Sequence, residues 1–333
     1  MDRNHDRIAE QLGSEFQEEA EAVTAAGSFS TCPRRRSRMF VWYAAVLTAG
    51  LAVFLVPLFR YAANNELHSH IVLVPFIVGY LLSTMFNEVA QGAAAAPAVS
   101  PGDGRLSLRR GGRWSLPLAG LLGLASCCFL GFALAGQGGL SQNDFFALIG
   151  VAYAGLIGAG GLAIMGSRWM KARAFPFAFL LFLAPLPDAA VFHFENWLMA
   201  KSADAVEMMF KLAGTPTFRQ GQVFVLPGID LEVARECSGI RSTWVLLITS
   251  LLASYLFLQN PWRRAVLVAA VIPLGILRNG FRVLVIGLLC VHEGPHMIDS
   301  IVHKRGGPFF FALSLIPLFL LAWWLRRKEV KVK

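Results

Sequence analysis

Residues 236–242 (ECSGIRS) place a thiol in a polar cluster directly before the apolar run 243–258. If a helix starts near Ser238, Cys237 and Arg241 are four residues apart and share one helical face. The helix dipole and the guanidinium would both favour the thiolate, which is the nucleophilic form of cysteine. The cluster therefore predicts a nucleophilic Cys237. The alternative is that Ser238 caps the helix and Cys237 is a small, inert buried residue.

A second polar group, residues 278–282 (RNGFR), interrupts the apolar run 265–291. Arg278 and Arg282 are one helical turn apart, and Asn279 lies near the same face. An arginine within a membrane span costs at least ~2.5 kcal/mol, so these cations are expected to point into the protein. A structural ion pair is the alternative, although the apolar runs contain almost no carboxylate to complete one.

A third group lies after this run, where residues 292–296 match the zinc-binding pattern HExxH. That pattern needs one continuous helical turn, whereas Gly and Pro at 294–295 cost ~1 and ~3 kcal/mol inside a helix. The match is therefore interpreted as accidental. A helix starting after the glycine would instead align His296, Asp299 and His303 as a metal-binding face. Alternatively, His303 acts as a general acid or base, because histidine titrates near neutral pH.

The composition predicts a polytopic membrane protein. Of the 333 residues, 56% are hydrophobic and 15% are charged, and the mean hydropathy is +0.55. Roughly 20 apolar residues cross a bilayer core, which predicts an all-α integral membrane protein with about eight transmembrane helices. The predicted spans are 40–59, 71–86, 116–135, 145–165, 175–186, 243–258, 265–291 and 309–325.

The distribution of basic residues predicts the orientation. With the N-terminus inside, the inner segments carry 20 Lys or Arg residues and the outer segments carry seven. Cytoplasmic loops are enriched in such residues, so both termini are expected in the cytoplasm. The formal charge of +9 is explained in this way, and nucleic acid is not expected as a partner.

Three segments lie outside the predicted spans of the catalytic domain 40–325. Residues 1–38 are expected to be a disordered cytoplasmic tail, and residues 326–333 a basic cytoplasmic tail. The extracytoplasmic segment 187–236 contains a predicted amphipathic helix at 192–212. It also contains a predicted β-hairpin at 222–234, which leads into the thiol cluster.

The depth of the arginines raises a geometrical problem. In a straight helix Arg282 lies nine residues before Val291, or roughly 13 Å below the outer end of its span. Cys237 is predicted at the outer end of its own span, about two turns higher. The two can meet if the arginine helix tilts or ends early, or if the thiol lies in a recessed cavity.

The five cysteines are scattered without CxxC spacing, so neither a disulfide framework nor a cysteine-based zinc site is predicted. No metal and no cofactor is expected.

Taken in order, ECSGIRS at 236–242, Asn279-x-x-Arg282 and His303 before a Gly-Gly pair resemble the signature of the exosortase/archaeosortase family. The resemblance covers about residues 40–325. A histidine at the third motif, His303, resembles the bacterial exosortase branch of the family. It implies an eight-span cysteine transpeptidase whose Cys, Arg and His fall on Cys237, Arg282 and His303.

The implied partners are exported proteins with a C-terminal sorting signal of the PEP-CTERM type. Such a signal combines a short motif, a hydrophobic helix and a basic end. Membrane lipid and an acceptor of unknown identity are further expected partners. Four residues are expected to orient the site or bind substrate, namely Arg241, Asn279, Glu236 and Ser238.

Two other classes of function remain open from the residues. A metal-dependent intramembrane protease would use the histidines and glutamate of 292–296. A transporter would use Arg278, Asn279 and Arg282 as an anion site near the membrane midplane.

Overall fold

The apolar runs form helices, because a bilayer core offers the backbone no hydrogen-bonding partner other than itself. The computed structural model describes residues 35–95, 115–136, 138–227, 229–232, 239–294, 296–297 and 306–330. The helices are α1 (Arg35–Gly50), α2 (Ala52–Asn64), α3 (Val74–Ala95), α4 (Ser115–Ala135), α5 (Gln142–Ile164), α6 (Ser167–Ala172), α7 (Ala174–Phe179), α8 (Asp188–Leu212), α9 (Ile240–Phe257), α10 (Pro261–Ala269), α11 (Val271–Glu293) and α12 (Gly307–Val330).

Five helical segments among the described residues are long and apolar enough to cross a membrane, which confirms a mostly helical, polytopic membrane protein. They are α4, α5, α9, the continuous pair α10–α11 and α12. Two bent pairs raise the number to seven if each pair is one span: α1 with α2, at 75°, and Ala174–Leu183 with α8, at 94°. The predicted count of eight spans is therefore not confirmed. The predicted run 71–86 coincides with a shorter apolar helix, Ser69–Thr84.

The predicted fifth span, 175–186, is a short helical segment that ends before two prolines. Pro185 and Pro187 separate Ala174–Leu183 from α8, because proline disfavours helical geometry at the residue before it and lacks a backbone donor. The helix predicted at 192–212 begins four residues earlier, directly after Pro187.

One structural unit contains the described residues up to Tyr61 together with Ile71–Pro185. In it α4 and α5 pack along one another. The side-chain oxygen of Ser141 starts α5 by accepting the backbone N–H three residues on, at 3.0 Å. The hydroxyl of Tyr43 on α1 donates to the carbonyl oxygen of Leu156 on α5, at 2.8 Å.

The second unit contains Ala62–His70 and Leu186–Lys333, and its centre is the contact between α8 and α11. The helices approach closely because α11 carries small residues here: a Cβ on Gly287 would lie 2.5 Å from Phe210 Cζ. The buried cluster at this contact comprises Ala203, Val206 and Phe210 of α8, Phe224, Leu226 and Leu231 of the sheet described next, and Val283, Ile286 and Cys290 of α11.

A three-stranded antiparallel sheet follows α8 in the second unit. Its strands are β1 (Phe218–Gln220), β2 (Val223–Leu226) and β3 (Ile229–Glu232), in the order β1-β2-β3. β2 and β3 lie within the region 222–234 where a hairpin was predicted, and β1 is an additional strand. Arg219 of β1 forms ion pairs with Asp204 and Glu207 of α8, both at 3.0 Å. These contacts hold the sheet against α8.

Glu329, near the end of α12, contacts the turn between α9 and α10 in the second unit. Its carboxylate accepts the backbone N–H groups of Gln259 and Asn260 at the α9–α10 turn, at 2.9 and 2.8 Å. Arg263 of α10 lies 3.9 Å from the same carboxylate. The carboxylate therefore joins the end of α12 to the start of α10.

We expect Glu329→Ala to lower the thermal unfolding temperature of the detergent-solubilised protein. Losing the acceptor of two backbone donors costs about 1–3 kcal/mol, and a few degrees is the corresponding shift for a chain of this size. The exposed Glu232→Ala on β3 is the control. Equal unfolding temperatures for both variants would contradict the role given to Glu329.

Candidate active site

The first turn of α9 begins at Gly239, which has a left-handed backbone conformation with φ of 72°. Its carbonyl oxygen accepts hydrogen bonds from the backbone N–H of Thr243 at 3.0 Å and from the hydroxyl of Ser242 at 3.2 Å. The N-cap is therefore Gly239. The alternative interpretation of the sequence, in which Ser238 caps the helix, is wrong. α9 starts at Ile240, so the helix start near Ser238, on which the shared face of Cys237 and Arg241 depended, is not found, and Cys237 itself lies outside the described residues.

Arg278 and Asn279 of α11 lie against this turn. Arg278 Nη2 donates to the carbonyl oxygen of Gly239 at 3.2 Å. A Cβ on Gly239 would lie 2.6 Å from that nitrogen and 3.1 Å from Asn279 Oδ1. Both α11 side chains are buried, with 9% and 1% exposure. The positive φ and this close approach both explain why glycine occupies position 239.

This contact settles the depth of the α9 start relative to the arginines. Arg278 is 15 residues before the end of α11 at Glu293, which corresponds to about 22 Å of helix. The C-terminal part of that helix packs against α8 and the sheet through Val283, Ile286 and Cys290. The start of α9 therefore lies beside α11 at the level of Arg278, well before the C-terminal end of that helix, and the recessed position of the thiol stays a prediction.

A cavity of about 610 Å³ opens at this recess. Its polar lining comes from Arg241 and Ser242 of α9, Arg282 of α11 and Glu195 of α8. The other lining residues are Leu67, Val191, Gly239, Ile240, Val245, Gly307, Pro308 and Phe311. Arg278 is absent from this lining, so the two arginines that the sequence treated as a pair have different environments. The size of the cavity suits an extended peptide segment or a comparably small ligand.

The segment 62–70 contributes to the site through Glu66 and Leu67, which the sequence did not predict. Glu66 forms an ion pair with Arg241, and Leu67 contributes to the lining. Trp244 Nε1 donates to His70 Nε2 at 3.3 Å. His70 Nδ1 lies 3.2 Å from the carbonyl oxygen of Leu67, which can only accept, so the geometry fits a neutral imidazole.

Glu195 was also missed by the sequence, because it lies on α8 among residues with an amphipathic pattern. Its side chain is half-buried, and it is the only carboxylate among the described residues that line the cavity. An acidic residue one helical turn from the apolar Val191, Leu198 and Met199 is the signal that points to it.

Cys237, Glu236, Ser238 and His303 lie outside the described residues. Two described residues nearby in the chain line the cavity. Gly239 follows Cys237 by two residues, and Gly307 follows His303 by four.

The HExxH-like stretch does not form the zinc-binding helix of metalloproteases. His292 lies in the last turn of α11, which ends at Glu293. Gly294 then turns the chain with φ of 110°, and His296 follows outside the helix. Within the described part of the chain, no group of three His, Cys, Asp or Glu residues is arranged to hold a metal ion. Asp299 lies outside that part.

The described cysteines are not placed for catalysis at this site. Cys127 and Cys128 are free and exposed on α4, and Cys290 is free and buried in the α8–α11 cluster. None of the three contributes to the cavity lining.

Comparison with known proteins identifies the family. The family model described as Transmembrane exosortase (Exosortase_EpsH) matches residues 62–320. No curated protein and no solved structure matches the chain significantly. The matched region begins with residues 62–70, which supply Leu67 to the cavity lining, and extends through α9 and α11 into α12. It therefore includes every described residue of the site. The chain therefore belongs to the transmembrane exosortase family, whose members are generally membrane proteases or transpeptidases.

Proposed function

We propose that this protein is a membrane-embedded cysteine transpeptidase or protease that cleaves C-terminal sorting signals of exported proteins. The family implies substrates with C-terminal sorting tails. The observation that carries the proposal is a cavity that contains Arg282 and adjoins the turn directly after Cys237. The cavity faces the extracytoplasmic side in the orientation predicted by the basic residues.

Chain connectivity keeps Cys237 close to the cavity whatever its conformation. Consecutive Cα atoms are about 3.8 Å apart, so the Cα atom of Cys237 is at most about 7.6 Å from that of Gly239. Gly239 itself lines the cavity. Because Arg282 lines the same cavity, we expect a thiol within this radius to reach a peptide carbonyl bound there.

Arg282 is the residue suited to stabilise charge that develops on a bound carbonyl. It lines the cavity, whereas Arg278 behind it is held by the carbonyl of Gly239. A guanidinium keeps its charge at any physiological pH and offers several donors in a fixed plane. In a site shielded from water such a group stabilises an oxyanion strongly.

The proposed reaction has two steps. The Cys237 thiolate attacks the scissile carbonyl, the C–N bond breaks, and His303 gives a proton to the departing amine, leaving a thioester. The acceptor then attacks the thioester and loses its proton to His303, which restores the thiolate. Water as the acceptor gives a carboxylic acid, an amine gives an amide, and a hydroxyl gives an ester.

The supporting residues have different roles in this proposal. Arg241 and Ser242 lie at the start of α9 on the cavity wall and are placed to contact substrate. Asn279 is buried behind Gly239 and supports the turn. Glu236 and Ser238 flank the nucleophile in the sequence.

Trapping the thioester tests the proposal. The full-length protein is co-expressed with a protein that carries a motif, a hydrophobic helix and a basic end, and the Cys237 peptide is then analysed by mass spectrometry. We expect an acyl adduct on Cys237 that hydroxylamine releases. Cleavage should stop with N-ethylmaleimide and continue with a metal chelator.

The same experiment separates the competing functions. Inhibition by the chelator but not by N-ethylmaleimide would support a metalloprotease and overturn the proposal. Solute flux in proteoliposomes without any cleaved product would support a transporter. The hydrogen bond from Arg278 to Gly239 argues against the transporter, because this arginine is engaged by the protein backbone.

A further inference from the structure

We propose that Arg278 is a positioning residue for the reaction, because it holds the backbone turn that follows Cys237. This inference rests on the proposed function, in which Cys237 is the nucleophile. Arg278 does not line the cavity, so it is expected to act through Gly239 and without touching the substrate.

The first support is the contact itself. Arg278 is a buried cation inside a membrane helix, where a charge is costly unless it is hydrogen-bonded. Its Nη2 donates to the carbonyl oxygen of Gly239 at 3.2 Å. A charged donor makes a stronger bond to a carbonyl than a neutral one does. The bond joins α11 to the start of α9 across 39 residues of sequence.

The second support is the shape of the turn. Gly239 has φ of 72°, and a Cβ at this position would lie 2.6 Å from Arg278 Nη2. Glycine and the guanidinium therefore fit one another, and each restricts where the other can lie. Since Cys237 is joined to Gly239 by two peptide links, a shift of this turn moves the nucleophile relative to Arg282.

The two arginines thus have separate tasks. Arg282 faces the cavity, where it can contact a bound carbonyl, whereas Arg278 fixes the frame that presents the thiol to that carbonyl. A misplacement of about 1 Å at a reacting group can slow a reaction about 100-fold. Loss of Arg278 should therefore slow the chemical step more than it weakens substrate binding.

The test compares Arg278→Met and Arg278→Lys with the wild type in detergent, using a purified tailed substrate. For the Met variant we expect kcat to fall about 100-fold, with KM changing less than about 3-fold. The Lys variant keeps a charged donor and should recover at least about 10-fold of that loss. Ile286→Ala destabilises the same helix at a buried site away from the turn, so it reports a purely structural effect.

A second variant keeps the proposal testable if Arg278→Met folds poorly. Gly239→Ala should reduce kcat through the same contact. The double variant Gly239→Ala/Arg278→Met should be no less active than the less active of the two single variants. Independent roles would instead multiply the two losses. Each rate is divided by the folded fraction, measured by size-exclusion chromatography and thermal unfolding.

The outcomes distinguish this inference from the proposed function. A wild-type kcat for Arg278→Met, a loss matched by Ile286→Ala at equal folded fraction, or multiplying losses in the double variant would each overturn the positioning role. Cleavage by Cys237→Ala would overturn the proposed function itself. If Cys237→Ala is inactive and Arg278→Met is fully active, only the positioning role fails.

Discussion

Replacing Cys237 with alanine is expected to abolish cleavage of a tailed substrate while the protein remains folded and inserted in the membrane. Removing the nucleophile of a comparable covalent mechanism lowers kcat by about 10⁶-fold, which would leave only background hydrolysis. The measurement is the ratio of cleaved to uncleaved substrate after co-expression, with thermal unfolding of the purified variant as a check on folding.

Cys128→Ala is the matched control for this variant, because it makes the same substitution at an exposed cysteine of α4 outside the cavity lining. We expect it to process substrate at the wild-type rate. Full processing by Cys237→Ala would eliminate the thiol mechanism, whatever the behaviour of the control.

Arg282→Gln should reduce kcat by about 10²–10³-fold, which is the usual cost of losing a donor to a developing oxyanion. Glutamine retains a planar polar group at this position but removes the positive charge. KM should change much less, because the proposed interaction strengthens as charge builds on the carbonyl oxygen. Single-turnover cleavage of the tailed substrate measures the effect without interference from product release.

Arg168→Gln on α6 serves as the control for Arg282→Gln, since its side chain is exposed and does not line the cavity. Arg282→Lys separates charge from geometry: an intermediate rate indicates that the cation matters, and a rate as low as that of Arg282→Gln indicates that the planar, multidentate donor is needed. A wild-type kcat for Arg282→Gln would refute the role given to this residue.

The paired arginines illustrate the limit of helical periodicity as a guide to function. Spacing places Arg278 and Arg282 one turn apart on α11. It does not reveal that the Arg278 guanidinium donates to the carbonyl oxygen of Gly239, whereas the Arg282 side chain lines the cavity. That distinction depends on where α9 starts, and α9 is separated from α11 by a further helix and two turns.

The start of α9 also shows how backbone conformation overrides a sequence pattern. The sequence favours a helix that starts near Ser238, which is a typical N-cap residue. The helix begins two residues later, because Gly239 adopts a positive φ that places its carbonyl against Arg278. A contact between distant segments decided this boundary.

Sequence alone determined the membrane class, the order of the three motifs and the family, because hydrophobicity and motif spacing are properties of neighbouring residues. The breaks at Pro185 and Pro187 are local in the same sense. Only the tertiary structure decided the position of the α9 start beside Arg278, the separate environments of Arg278 and Arg282, and the contribution of Glu195 and Leu67 to the cavity lining. These features arise from contacts such as that of Trp244 with His70, 174 residues apart, and no local pattern encodes which distant segments will pack together.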